Sequence, residues 1–145
     1  VADPPADVEH AIVKNQVMGF DPGHLALDAV SSPAEILEMQ AHAQAVKVDD
    51  AIIGYIVDMV RRTRDDRAIE LGASPRASLA LMRAAQVIAA SAGRDFVTPD
   101  DVKPMALPVM RHRVMLHPDA QLQGVTPDDR ILEIVKAAPV PRALG

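Results

Sequence analysis

Gly72-Ala73-Ser74-Pro75-Arg76-Ala77 is the segment of this chain whose residue types and spacing best suit chemistry. Ser74 suits an N-cap, because its hydroxyl can accept a bond from an orphan backbone N–H, and Pro75 is pre-set for the first helical position. Arg76 then falls in the first turn, at the positive end of the helix dipole, where a cation is mildly unfavourable. Orphan N–H groups, a positive dipole end and a guanidinium together suit an anion, and a phosphate is the natural guest. The same residues also fit an ordinary helix start with a solvated arginine. From spacing alone both readings stand.

The remaining polar clusters point less clearly to chemistry. Arg61, Arg62, Arg64 and Arg67 form a basic cluster that reads as a solvated helix face paired with Asp58, Asp65 and Asp66, or as a contact to a subunit or nucleotide. Arg111-His112-Arg113 fits a helix C-terminus, where cations are favourable, or an interface. Asp100-Asp101 and Asp128-Asp129 sit in first helical turns and serve the dipole rather than acid–base catalysis. His10, His24, His42, His112 and His117 show no metal-ligand spacing on one face, so no metal site is expected. Ser74 and Ser91 lack a histidine partner of recognisable pattern, so no catalytic residue is assigned. No Gly-x-x-x-x-Gly-Lys-Ser/Thr loop occurs, and no apolar strand ends in paired acids that would hold Mg²⁺.

Composition narrows the class. The net charge of −5 over 145 residues argues against a general nucleic-acid footprint. A DNA-binding reading would need Arg61 to Arg67 joined with Arg111 and Arg113 on one strongly positive face. The absence of cysteine excludes a disulfide scaffold and a thiolate zinc site, and is compatible with a cytoplasmic home. No apolar run approaches the ~20 residues of a membrane span, and no signal peptide is visible. Phe20, Tyr55 and Phe96 are the only aromatic residues, so Ala, Leu, Ile, Val and Met must build the core. That favours closely packed helices.

The elements that must position Arg76 follow from caps and periodicity. Ser/Thr-Pro pairs at 32, 74, 98 and 126 each mark a helix start, which predicts an all-α bundle. Helices are expected over 7–18, 33–45, from Asp49 through Val60, 75–92, 99–111, and from Thr126 through Val135. Ile52, Ile53, Ile56, Met59 and Val60 form one apolar stripe. Leu79, Leu81, Met82, Ala85, Ile88, Ala89 and Ala92 wrap much of the 75–92 helix, which is therefore expected at the centre, with Gly93 as its stop. Pro104 and Pro108 are expected to break or shift the 99–111 helix. Val114-Met115-Leu116 is expected to pair with Phe96-Val97, so that the β content is at most one short two-stranded contact. Residues 19–31, with Pro22 and Gly23, read as a linker.

Gly72 to Ala77, together with Gly93-Arg94-Asp95-Phe96-Val97-Thr98-Pro99-Asp100-Asp101-Val102, resembles the C-terminal helical lid of MoxR-family AAA+ ATPases. Tyr55-Ile56-Val57-Asp58-Met59-Val60-Arg61-Arg62-Thr63-Arg64 upstream and Pro108-Val109-Met110-Arg111-His112-Arg113 downstream fit the same family in the same order. The resemblance runs from about residue 30 to 137. It implies that Arg76, in a motif with Ser74 and Pro75, is the sensor-2 arginine that reads the terminal phosphates of ATP. It also implies that the Mg-ATP machinery lies in an AAA+ core preceding this segment. Glu9-His10-Ala11-Ile12 is similar to the short helix closing that core, although Val1-Ala2-Asp3-Pro4 stands where a tyrosine-proline would be expected. Residues 1–30 then form the seam from the core, 31–138 the lid and 139–145 a disordered tail. The implied partners are that core, neighbouring subunits of a hexamer and von Willebrand factor A-domain proteins, with no nucleic acid and no membrane. The lid by itself is not expected to be an enzyme. The rival reading is a helical protein-interaction adaptor with no nucleotide link.

Overall fold

The computed structural model describes residues 3–21, 23 and 28–141. Its contacts divide into two units, Val1–Pro33 and Ala34–Gly145. In the first unit, α1 (Ala6–Val17) buries none of its residues. It ends at Gly19, whose φ of +77° lets the Gly19 and Phe20 N–H groups turn back to Gln16 and Asn15 carbonyls. Part of the expected linker (Pro22, His24 to Leu27) and of the expected tail (142–145) lies outside the described residues.

The second unit holds α2 (Pro33–Ala45) apart from its first residue, α3 (Asp50–Asp65), β1 (Ile69–Leu71), α4 (Pro75–Ser91), α5 (Pro99–Met110), β2 (Met115–Leu116), α6 (Pro118–Leu122) and α7 (Pro127–Ala137). Helices α3, α4, α5 and α7 pack together. Ile56, Met59, Leu81, Ala85, Ala89 and Val102 form the larger part of the core. Val60, Ala73, Ala77, Ala106, Met110 and Ile131 continue it towards the start of α4. The alanines of α4 leave room for its neighbours to approach closely, as the scarcity of aromatic residues requires. Of the expected stripe on α3, Ile53 is exposed, and Tyr55 and Thr63 are buried instead. On α4 one face is buried and Leu79, Val87 and Ile88 are exposed, so its apolar surplus is not a sign of burial all round.

Two expectations are corrected. Met115–Leu116 does not pair with Phe96-Val97; it pairs antiparallel with Ile69–Leu71. Ile69 and Leu116 are drawn together because both bury against Ile134 of α7. Phe96 makes a parallel bridge to Lys47 instead, with the Val97 N–H donating to the Lys47 carbonyl at 3.0 Å. The second correction is α5, which runs without interruption through Pro104 and Pro108. The two prolines are four apart, both exposed, and stand on one face. The carbonyls they deprive of N–H partners therefore face water, which can satisfy them. The helix α6 has no counterpart in the sequence reading, because it opens on His117-Pro118 with no Ser, Thr or Asp cap and is only five residues long.

Candidate functional site

Arg76 is the second residue of α4, directly after Pro75, and is exposed. Among the described residues it makes no hydrogen bond or ion pair. The first turn of α4 contains no acidic residue, whereas every other described helix carries at least one there. Ser74 takes the N-cap position with extended backbone (φ −78°, ψ 168°), as expected, but its hydroxyl makes no capping bond. The Ala77 N–H instead donates to the Ser74 carbonyl at 2.8 Å.

The loop leading into α4 is fastened to the last turn of α3. Thr63 is fully buried, and its hydroxyl donates to the Val60 carbonyl at 2.6 Å and accepts from the Ala73 N–H at 2.9 Å. Arg64 Nε donates to the Ala73 carbonyl at 2.8 Å. A side chain on Gly72 would meet the Arg64 backbone at 2.7 Å, so the approach of the two segments demands glycine there. Ala73 and Ala77 are both fully buried beside Val60. Thr63, Arg64 and Gly72 were thus part of the site's frame. Sequence reading put Gly72 in the segment and left Arg64 between a solvated face and a contact to a subunit or nucleotide, but it gave Thr63 no role and did not find the contact, which spans a strand and a loop.

Among the described residues, five other cations of the second unit, Arg62, Arg94, Lys103, Arg111 and Arg130, are paired with carboxylates, whereas Arg61, Arg67 and Arg83 are exposed like Arg76. Arg62 pairs with Asp58 at 2.6 Å. Arg130 of α7 binds Asp66 at 2.6 Å and also Glu133, so Asp66 serves α7 rather than the basic cluster around it. Arg111 pairs with Asp128 at 2.6 Å, and Arg113 Nε donates to the Val109 carbonyl at 2.8 Å. Arg94 forms a two-point pair with the buried Asp101 carboxylate, one bond of 2.8 Å being from Nη1 to Oδ2. The Thr98 N–H and hydroxyl also donate to Asp101, at 2.7 and 2.8 Å. These bonds, the arginine's first, outweigh the effect of burial and hold the Asp101 carboxyl down at about 2, below the ordinary 3.8. Arg94, held this way, is a fastening of the α4–α5 corner. No group of three or more His, Asp or Glu among the described residues could hold a metal ion. No helix among them is long and apolar enough to cross a membrane.

A short antiparallel ribbon on a helical bundle, with an arginine opening the helix after the first strand, defines a helical lid-type domain. Residues 61–134 match the AAA lid domain family, and the chain belongs to that family, in its MoxR branch. It is 41% identical over 127 residues to the uncharacterized protein YeaC of Bacillus subtilis (strain 168), covering 81% of this chain and 40% of that one. It is 32% identical over 122 residues to chaperone MoxR1 of Mycobacterium tuberculosis, covering 78% of this chain and 32% of that one. The chain therefore spans two fifths or less of the curated relatives it matches. A crystal structure from Cytophaga hutchinsonii, of a protein provisionally described as an ATPase, superimposes with a TM-score of 0.75. It covers 98% of this chain and 45% of that one, and at 21% identity the likeness speaks to the fold alone.

Proposed function

We propose that this lid reads the nucleotide of a MoxR-like AAA+ ATPase through Arg76. The observation that carries the reading is the first turn of α4: an exposed arginine without a partner among the described residues, in a turn without a carboxylate. Arg61, Arg67 and Arg83 are also exposed and make no ion pair among the described residues; what sets Arg76 apart is its place in the first turn of a helix, where backbone N–H groups and the dipole join its charge. Ser74 and Pro75 set the start of the helix, and Arg76 supplies the cation. In the whole protein Mg-ATP would be held by the AAA+ core, which the known relatives' greater length leaves room for. Arg76 would then donate to the terminal phosphate oxygens, and loss of those oxygens on hydrolysis would change the lid's angle. That is a hinge switch driven by a difference in phosphate contacts.

The exposed apolar residues Ile36, Leu37 and Met39 of α2, with Leu79 and Val87 of α4, support packing of the lid against further protein. In this reading that protein is the core of the same chain and the neighbouring subunits of a hexamer. A chaperone role belongs to the same proposal and is supported by the likeness to chaperone MoxR1; a cytoplasmic home and von Willebrand factor A-domain partners are part of the proposal on the resemblance alone. The test is Arg76→Ala in the full-length ATPase. Loss of a charge-assisted contact to the transferring phosphate should lower ATP turnover roughly 10- to 100-fold. Normal turnover would refute the sensor role.

A further inference from the structure

Thr63 is a buried polar side chain that the nucleotide reading leaves without a role. Its hydroxyl uses its one proton on the Val60 carbonyl and presents a lone pair to the Ala73 N–H. Backbone N–H groups can only donate, so the direction of the second bond is fixed. Arg64, the next residue, takes the Ala73 carbonyl. Both polar groups of one peptide-linked alanine are thereby tied to adjacent residues of α3, and Gly72 allows the contact by lacking a Cβ. Arg76 follows Ala73 by three residues, across Ser74 and Pro75, where the proline ring fixes φ. Ala77 then plants the first turn in the core beside Val60. Little freedom remains between the Thr63 hydroxyl and the direction in which Arg76 leaves the lid.

We propose that Thr63 is a positioning residue for Arg76. Its hydroxyl sets the pitch at which the first turn of α4 offers the guanidinium to a nucleotide phosphate. The proposal rests on the sensor reading of Arg76. Charge-assisted contacts to a phosphate are directional, and a misplacement of about 1 Å costs on the order of 100-fold in rate. Thr63→Val keeps the shape and removes both bonds, leaving the Ala73 N–H buried and unpaired. Thr63→Ser keeps the hydroxyl.

The experiment is a double-mutant cycle in the full-length ATPase, reading steady-state ATP turnover and the ratio of ATP to ADP affinity. Thr63→Val should lower kcat about tenfold, the size expected from losing the bond that holds the Ala73 N–H, the one of its two bonds that reaches the α4 entry, and reduce the preference for ATP over ADP. Thr63→Ser should stay within about twofold of the parent. In an Arg76→Ala background, Thr63→Val should cost no further turnover, because the arginine it positions is already gone. Losses that multiply in the double variant would overturn the proposal and leave Thr63 a purely structural residue. So would unchanged turnover of Thr63→Val alone. Full activity of Arg76→Ala overturns the sensor reading and this proposal with it, whereas multiplying losses overturn the proposal alone. If Thr63→Val does not assemble, Arg64→Met, at an exposed position and with no donor, removes the companion bond to the Ala73 carbonyl and is judged by the same criteria.

Discussion

Arg76 and Arg94 stand near opposite ends of α4, and their surroundings assign them different work. Arg94 follows the helix stop and is committed to Asp101, with Thr98 donating to the same carboxylate. The folded carboxyl sits at about 2 against an ordinary 3.8, so its contribution to stability is present above pH 4. As pH falls from about 4 to about 2, the unfolded chain takes up a proton that the native carboxylate refuses, and stability is lost across that window. Denaturant midpoints measured at successive pH values should show this fall in the parent and a shallower one in Asp101→Asn. Asp129, held below its ordinary value first by the Thr126 hydroxyl and then by the Thr126 N–H, should leave part of the slope in place. Arg76 has no such commitment among the described residues. Replacing it with alanine removes a cation from a positive dipole end and supplies the best helix former. The melting transition of Arg76→Ala should lie within about 0.5 kcal/mol of the parent, as expected at a surface site. A loss on the order of 2 kcal/mol would mark a structural arginine instead.

Helix ends were legible where the chemistry is local. Thr98 and Thr126 lie three residues before Asp101 and Asp129, and both starts form where the pattern placed them. Gly93, with φ of +71°, lets its own N–H and that of Arg94 return to the Ala90 and Ala89 carbonyls. Thr98→Ala should therefore cost about 1 kcal/mol. Gly93→Val should cost more, about 1–2 kcal/mol or above, because a β-branched residue resists positive φ. Parallel chemical melts check both, and a pair of variants melting like the parent would contradict the corner as drawn. The strand pairing was not legible, because Leu116 is matched to Ile69 by shared burial on α7 and not by any pattern within either segment. The α5 prolines misled because a rule about single prolines ignores a spacing of four that puts both on the wet face. Of the candidate site, Ser74, Pro75 and Arg76 were legible as a helix start. The hydroxyl of Thr63 was not, since a threonine in a helix reads as a weak helix former until the chain ten residues on folds back over it.

At the scale of the molecule, scarce aromatic residues and alanine-rich helices pointed to close helix packing, and the core is built that way, with Ala73, Ala77, Ala85, Ala89 and Ala106 fully buried. On the proposed reading such a domain offers one guanidinium to a nucleotide and should do little to it alone. The sequence contains no phosphate-cradling glycine loop with its lysine, and no acid pair ending an apolar strand. A single charge-assisted hydrogen bond contributes about 1.5–3 kcal/mol, against an association cost estimated at about 4–15 kcal/mol. Titration of this chain with ATP should therefore show no saturable binding below about 1 mM, where the standard free energy is about −4 kcal/mol. Coupled-enzyme assays should show no hydrolysis above background. On the proposed reading, the core's own contacts would meet the entropy of immobilising ATP in the whole ATPase, and the same guanidinium would add its interaction at little further cost. The contrast is the expected signature of a sensor: no measurable binding by the lid, and a large loss on Arg76→Ala in the complete protein. Steady ATP turnover by a clean preparation of this chain, abolished by a point substitution within it, would overturn the lid reading.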